Sequence, residues 1–246
     1  LILALSKNDT AVLNRENDYI KNMAKKTNAK VVWFGKNSDI QAPKIKIDSS
    51  LNTIYTLGIR ESKINVQLPI PGKQFVENSL AAAATAYILG ISPLNIKKGL
   101  ESFQKSEHRM VVIKLKSGAL VLDDTYSNNP RAAIIALNTL KEVANGKKII
   151  VVMGDMLELG EDELRAHKEV GNYIGVIGVD YLIGVGKAAK VLVDTAASKM
   201  GKEKTYWVSN WTGVIPKLKP TLLKNTITLI KGSRSVGLDN VVARLS

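Results

Sequence analysis

The sequence has 246 residues, enough for one large domain or two ordinary ones, and its 45% hydrophobic and 23% charged residues are typical of globular proteins. It has no cysteine, which excludes disulfides and thiolate metal sites and fits a reducing cytosol. Its net charge of +13 comes from scattered lysines without a nucleic-acid-binding motif, so a solvated basic surface or an anionic small-molecule substrate is favoured over nucleic acid.

The start of the chain carries no basic and apolar leader. The longest mostly apolar run without a charge, residues 79–96, contains Asn and Pro, so it predicts a core helix followed by a break rather than a membrane span. The chain begins at Leu1, without an initiator methionine, in sequence that resembles structured protein. We therefore expect a fragment of a longer protein.

The first part of the chain predicts a mixed α/β fold. Apolar runs bounded by turn residues predict strands and helices in the order strand Thr10–Asn14, helix 18–27, strand Lys30–Phe34, strand Thr53–Ile59, strand 64–70, helix 76–89 and helix 92–103. The last helix opens on Ser92-Pro93, because serine caps a helix and proline fits its first turn. The short polar segment 104–107 predicts a boundary between domains 1–107 and 108–246.

The second part alternates strand and helix. Strands are predicted at 119–122, 149–153, Tyr181–Val185, 206–209 and Thr226–Lys231, and helices at 130–144, 161–174, 187–199 and 237–245. Such alternation predicts a mostly parallel sheet with helices on both faces.

Most of these strands end in polar or charged residues. Asp123-Asp124 follows the first strand, and Asn129-Pro130 then begins a helix. The later strands end in Gly154-Asp155, Gly186-Lys187 and the run Lys231-Gly232-Ser233-Arg234. Because carboxyl ends of parallel strands gather at one edge, a ligand site is favoured over ordinary loop chemistry. The last run precedes a predicted helix, whose N-terminus would favour an anion.

Two kinds of site lack support in the sequence. No Gly-Lys pair is followed by Ser or Thr, so the P-loop pattern GxxxxGK[ST] is absent, and GVGK at 184–187 is interpreted as a strand-to-helix turn. His108 and His167 share no ligand spacing, so no metal site is predicted.

Several long motifs resemble one family. The segments LDDTYSNNP at 122–130, VVMGDMLELGEDELRAHKEVG at 151–171 and LIKGSRSVGLDNVV at 229–242 are similar to those of the Mur ligases. AVLNRENDY at 11–19, PGKQFVENSLAAAATA at 71–86 and the pair His108-Arg109 resemble the central domain of that family. The resemblance spans nearly all of the chain.

The resemblance implies an α/β architecture: the end of a central ATPase domain, then a Rossmann-like C-terminal domain. It implies a ligase that phosphorylates a substrate carboxyl from ATP and joins it to an amine through an acyl phosphate. KGSRS and GDMLELGE resemble the members that add D-alanyl-D-alanine to UDP-N-acetylmuramoyl-tripeptide in peptidoglycan synthesis. A cytoplasmic monomer, without nucleic acid partners, is expected.

The family's functional residues are carried over by position. The resemblance implies that Asn78 lies on the adenine side, that Arg109 is catalytic and faces the nucleotide phosphates, and that Asp124 holds the ribose hydroxyls. It places Tyr126 and Asn129 beside Asp124 as further nucleotide-binding residues. It also implies a catalytic and substrate-binding Lys231, with Ser233 and Arg234 as substrate-binding residues.

Departures from the family pattern also matter. Gln74-Phe75 stands where the family usually has His-Asn, and the loop is YSNNP where YNANP is usual, so Ser127 replaces an asparagine. The P-loop lysine and the glutamate and histidine on the Mg²⁺ side lie upstream of Leu1 in the family pattern. We therefore expect this chain alone to be inactive as a ligase. Two alternatives remain, another Mur-type amino-acid ligase and a non-catalytic nucleotide-binding module.

Overall fold

The computed structural model describes residues 2–245. The chain forms two compact units, and the division falls between Gln104 and Lys105, within the polar segment from which a boundary was predicted. Both units are α/β, which confirms the predicted fold class. No helix among the described residues is both long and apolar enough to cross a membrane.

The first unit is built on a six-stranded mixed sheet. Its elements are β1 (Thr10–Asn14), α1 (Asp18–Ala24), β2 (Lys30–Phe34), β3 (Ile40–Gln41), β4 (Ile45–Ile47), β5 (Thr53–Ile59), β6 (Ser62–Leu68), α2 (Lys73–Ile88) and α3 (Pro93–Glu101). The strand order is β1-β2-β3-β5-β4, and β6 pairs with β5. The pairs β1–β2 and β2–β3 are parallel, and β5 is antiparallel to its neighbours β3, β4 and β6. The very short β3 and β4 were not predicted.

Helix α2 buries one face of the first unit. Its buried residues recur at helical spacing and include Val76, Leu80 and Ala83. The hydroxyl of Tyr55, on β5, lies 2.7 Å from Ser79 Oγ on the same helix. As predicted, Ser92 caps α3, because its side chain accepts a hydrogen bond from Asn95 N.

The second unit has six strands in the order β11-β10-β9-β12-β8-β7. Its elements are β7 (Val111–Lys114), β8 (Leu120–Asp124), α4 (Pro130–Ala144), β9 (Lys148–Gly154), α5 (Glu163–Val176), β10 (Tyr181–Val185), α6 (Ala189–Met200), β11 (Thr205–Val208), α7 (Val214–Leu218), β12 (Thr226–Lys231) and α8 (Asp239–Ala243). Five strands are parallel, and the unpredicted β7 is an antiparallel edge strand.

The burial of β12 explains its central position. All six of its residues are buried, as expected for a parallel strand covered by helices on both faces. Helices α4, α5 and α6 pack against one another on one face. The opposite face packs against residues of α7 and α8, including Val214, Leu218 and Val241.

The segment after β12 differs from the prediction. A single helix was expected at 237–245. The structure instead has a three-residue 3₁₀ turn at Arg234–Val236, then Gly237 with φ +76°, then the five-residue α8. The left-handed backbone at Gly237 separates the two short helical pieces, so no long helix begins beside Arg234.

Candidate nucleotide and substrate site at the sheet edge

The predicted polar clusters lie at one edge of the second sheet. Strands β8, β9, β10 and β12 are parallel, so all of their carboxyl ends face the same way. In register, Lys231 lies opposite Asp124 on β8 and opposite Met153 on β9. This confirms that Asp124, Gly154-Asp155, Gly186 and Lys231 belong to one edge.

The segment 108–110 is attached to the end of β8. His108 Nδ1 lies 2.8 Å from Asp123 Oδ2, and the His108 carbonyl accepts a hydrogen bond from Tyr126 N at 3.1 Å. Met110 N donates to Asp124 Oδ1 at 3.3 Å. His108 and Met110 have φ +59° and +51°, a conformation that is unfavourable for these residue types. The surrounding contacts therefore hold a strained segment that presents Arg109.

Arg109 stacks on Tyr126. The guanidinium carbon lies 4.1 Å from the ring centroid, and both residues are exposed. An Arg over an aromatic face keeps its planar, charged fork in a fixed orientation. The pair therefore offers a preoriented cation beside an exposed aromatic ring, which suits a ligand that is anionic and has an aromatic part.

The two neighbouring aspartates have different surroundings. Asp123 is 3% exposed, its Oδ1 accepts hydrogen bonds from both N and Oγ1 of Thr125, and its Oδ2 faces His108 Nδ1, so its carboxylate is buried among protein partners. Asp124 is half-buried, and each of its oxygens has one protein partner. Since a carboxylate oxygen has two acceptor sites, Asp124 can still accept ligand hydroxyls.

Lys231 is the most unexpected of the predicted residues. Its side chain is 2% exposed, and its Nζ lies 2.6 Å from Asp124 Oδ2 and 2.9 Å from the Ser127 carbonyl oxygen. The prediction that it contacts the reacting centre stays a prediction. In this structure its ammonium is bound within the protein.

Asn128 belongs to the site and was not predicted. It is 6% exposed, and its Nδ2 donates to the Gly154 carbonyl at 2.9 Å, so it joins the loop after β8 to the end of β9. The next residue, Asn129, caps α4 by accepting a hydrogen bond from Ala132 N, as its place before Pro130 predicted. No sequence signal separated Asn128 from an ordinary loop residue.

The end of β9 caps the neighbouring helix α6. Asp155 Oδ1 accepts a hydrogen bond from Ala189 N at 2.6 Å. Gly186 has φ +109°, and a side chain there would overlap the Asp155 carboxylate. A carboxylate therefore already occupies this helix start, which agrees with interpreting GVGK as a strand-to-helix turn.

The predicted substrate-binding residues follow β12. Ser233 is partly exposed and its Oγ donates weakly to the Asp155 carbonyl at 3.4 Å, whereas Arg234 is exposed. The expected helix N-terminus is wrong here, because only a three-residue 3₁₀ turn follows. Any anion at this point would be bound by side chains rather than by a helix dipole.

Two residues named in the sequence analysis remain, and of these only Asn78 was a predicted site residue. Asn78 is exposed on α2 of the first unit. His167, on α5, is fully buried, with Nδ1 donating to the Glu163 carbonyl and Nε2 accepting from Met156 N. It therefore holds the loop after β9 and serves the structure. Across residues 2–245, no three His, Asp or Glu side chains are grouped as metal ligands.

Comparison with known families gives two matches in chain order. The family described as Mur ligase middle domain matches residues 1–86. The family described as Mur ligase, glutamate ligase domain matches residues 108–234, more than half of the chain.

Individual proteins give the same result. The UDP-N-acetylmuramoyl-tripeptide–D-alanyl-D-alanine ligase of Haemophilus influenzae is 31% identical over 243 residues, which are 98% of this chain and 52% of that protein. A crystal structure of MurF from Acinetobacter baumannii superposes with a TM-score of 0.84 at 27% identity, covering 96% of this chain and 51% of that one. MurF ligase from Thermotoga maritima in complex with ADP shares the fold, with a TM-score of 0.81 at 22% identity, 99% of this chain and 54% of that one. The chain spans about half the length of the curated relatives that it matches.

Proposed function

Because the chain belongs to the Mur ligase family, we propose that it is part of the ATP-dependent ligase that adds D-alanyl-D-alanine to UDP-N-acetylmuramoyl-tripeptide in peptidoglycan synthesis. One observation carries this proposal. The curated relatives that match nearly the whole chain are UDP-N-acetylmuramoyl-tripeptide–D-alanyl-D-alanine ligases. A cytoplasmic monomer is part of the same proposal.

The residues proposed to bind the nucleotide lie at the end of β8. Arg109, held over Tyr126, supplies a fixed positive charge for nucleotide phosphates. Asp124 keeps free acceptor sites for ribose hydroxyls, and Asn129 begins the adjoining helix. Asn78, in the first unit, is proposed for the adenine side. The complex of the Thermotoga maritima relative with ADP supports a nucleotide as ligand.

The residues proposed to bind the acceptor dipeptide lie in the segment after β12. Arg234 is exposed there, and its planar fork matches a carboxylate such as the end of a dipeptide. Ser233 beside it supplies a hydroxyl that can donate to or accept from a peptide group. These two residues are therefore proposed to position the incoming D-alanyl-D-alanine.

The reaction transfers the terminal phosphoryl group of ATP to the substrate carboxylate, after which the dipeptide amine attacks the acyl carbon and phosphate leaves. Charge develops on the transferred group, so a preoriented Arg109 would stabilise the transition state more than the ground state. The 246 residues contain no P-loop, and residues 2–245 hold no cluster of metal ligands, so we assign Mg²⁺ to no residue of this chain.

A comparison of amine acceptors tests the function. In an active ligase that contains this chain, ADP release should depend on both the nucleotide-sugar tripeptide and D-alanyl-D-alanine. Single amino acids, such as D-glutamate, L-alanine or a diamino acid, should not replace the dipeptide. Preferential use of any single amino acid would assign the chain to another Mur-type ligase, and nucleotide binding without turnover would favour a non-catalytic module.

A further inference from the structure

The ammonium of Lys231 is enclosed at the end of β12. Two of its three N–H donors are used, by Asp124 Oδ2 at 2.6 Å and by the Ser127 carbonyl at 2.9 Å. A lysine at the end of a strand ordinarily extends its ammonium into water, yet this side chain is 2% exposed. Because the side chain is enclosed, the ammonium would have to move to reach a ligand.

The two acceptors of Lys231 belong to the elements that carry the nucleotide side of the site. Asp124 also accepts a hydrogen bond from Met110 N. This bond holds the strained segment 108–110, which contains Arg109. Ser127 follows Tyr126, the ring on which Arg109 stacks. One ammonium therefore connects the Asp124 carboxylate with the segments that carry Arg109 and Tyr126.

A second contact crosses the same strand. Asn128 reaches from the loop after β8, past the end of β12, to the Gly154 carbonyl on β9. Its orientation is fixed, because exchanging its amide O and N would place two acceptors together. The loop is thus held on both sides of β12, and Lys231 provides the charged contact.

On the premise of the proposed function, we propose that Lys231 is a positioning residue for the nucleotide. Through Asp124 and the Ser127 carbonyl it holds the Asp124 carboxylate and the Arg109–Tyr126 pair in place, and it does not touch the acceptor substrate.

The test uses ADP as the probe, four single variants of the chain and the double variant Lys231→Met/Asp124→Asn. Lys231→Met removes the ammonium and keeps the side chain length, Lys231→Arg keeps the charge, and Asp124→Asn removes the charged acceptor. Leu222→Ala is the matched control, because Leu222 is 7% exposed and precedes β12, at the opposite end of the strand from Lys231. It should lower stability without altering the site.

We expect Lys231→Met and Asp124→Asn each to raise the Kd for ADP by about tenfold or more, because displaced groups lose their alignment with the ligand. The double variant should resemble the single ones, since both remove one interaction. Lys231→Arg should recover part of the affinity, and Leu222→Ala should leave the Kd unchanged while its unfolding temperature falls.

Amide hydrogen exchange gives a readout that needs no nucleotide. Exchange at Met110 and Tyr126 should accelerate in Lys231→Met but not in Leu222→Ala. Absence of ADP binding by the unaltered chain would contradict the proposed nucleotide site, while the exchange rates would still decide whether Lys231 holds these segments.

Kinetics separate positioning from contact. In an active ligase that contains this chain, Lys231→Met should raise KM for ATP and leave KM for D-alanyl-D-alanine unchanged. A raised KM for the dipeptide with a normal KM for ATP would show that Lys231 contacts the acceptor, and would overturn the proposal. Wild-type exchange rates and ADP affinity in Lys231→Met would overturn it as well.

Discussion

The guanidinium carbon of Arg109 lies 4.1 Å from the centre of the Tyr126 ring, and both side chains face solvent at the carboxyl edge of the second sheet. Backbone contacts fix both partners, because Tyr126 N donates to the His108 carbonyl and Met110 N donates to Asp124. The pair is therefore oriented without a ligand, as the catalytic role proposed for Arg109 requires.

Removal of this charge is the first prediction. In an active ligase that contains this chain, Arg109→Ala should lower kcat/KM for ATP by on the order of 10²-fold, because one preoriented donor to the phosphates is lost. Steady-state kinetics with varied ATP measure the effect. Arg165→Ala is the control, since Arg165 is an exposed arginine of α5 paired with Asp162. Equal kinetics in the two variants would contradict the role of Arg109.

The second prediction concerns two threonines of β12. Thr228 is fully buried and its hydroxyl has no hydrogen-bond partner, whereas Thr226 Oγ1 donates to the Leu223 carbonyl at 2.7 Å. Thr228→Val should raise the free energy of unfolding by about 1 kcal/mol, since an unpaired buried hydroxyl is replaced by a methyl group. Thr226→Val should lower it by a similar amount. Denaturant unfolding of both variants measures these changes. Equal decreases in the free energy of unfolding would contradict the difference between Thr228 and Thr226.

The third prediction compares two glycines of α5. A Cβ at Gly171 would overlap the backbone carbonyl of Leu192 on α6, whereas at Gly175 it would lie 3.1 Å from Lys199 Cδ. Backbone cannot move aside, so Gly171→Ala should cost about 2 kcal/mol or more despite the higher helix propensity of alanine. The Cβ of Lys199 would lie 3.2 Å away, so a small shift of this side chain suffices and Gly175→Ala should change stability by less than about 1 kcal/mol. In thermal unfolding, Gly171→Ala should melt at a clearly lower temperature than Gly175→Ala. Similar melting temperatures would show that α5 and α6 can move apart at little cost.

The fourth prediction concerns alkaline pH. Burial raises the pKa of Tyr55 to about 12, the charge of Glu101 acts in the same direction, and the hydrogen bond with Ser79 opposes them. The folded state therefore holds this proton more tightly than the unfolded state does. The resulting stability is complete below about pH 10 and is lost as the pH rises toward 12.

Tyr55→Phe provides the measurement for this pH effect. Unfolding of the first unit, followed between pH 10 and 12, should depend less on pH in the variant than in the unaltered chain. Ultraviolet absorbance of tyrosinate should lose one late-titrating group in the same variant. Identical pH dependence in both proteins would show that Tyr55 titrates like an exposed tyrosine.

The helices and strands that could be predicted are those with a long apolar repeat or a recognisable capping residue. Asn129-Pro130 correctly placed the start of α4, and the run Thr226–Lys231 was correctly assigned as a strand. Strand β7 was missed because it has only four residues and none of them is fully buried. A signal was present, since Val111–Lys114 is rich in β-branched residues and is followed by the turn residues Ser117-Gly118.

The sheet edge that carries the polar clusters was predicted, but the contacts among them were not. Asp124 and Lys231 were both named, yet nothing in sequence spacing joins residues that are 107 positions apart. Asn128 gave no signal, since an asparagine in a polar loop usually faces water. Such cross-strand partners depend on the strand order, in which β12 lies between β8 and β9, and that order follows from the packing of the whole domain.

At the centre of this edge, β9 and β12 end close together at two buried glycines. A Cβ at Gly154 would lie 3.3 Å from Gly232 Cα, and a Cβ at Gly232 would lie 2.8 Å from Leu238 Cδ1. The nearest atom to a Cβ at Gly154 would be Val236 Cγ1, at 3.0 Å, so the segment after β12 covers both glycines and neither position has room for a larger residue. A side chain at either position would push residues 236–238 away from the sheet, so the placement of the neighbouring Arg234 depends on two positions that must remain without a side chain.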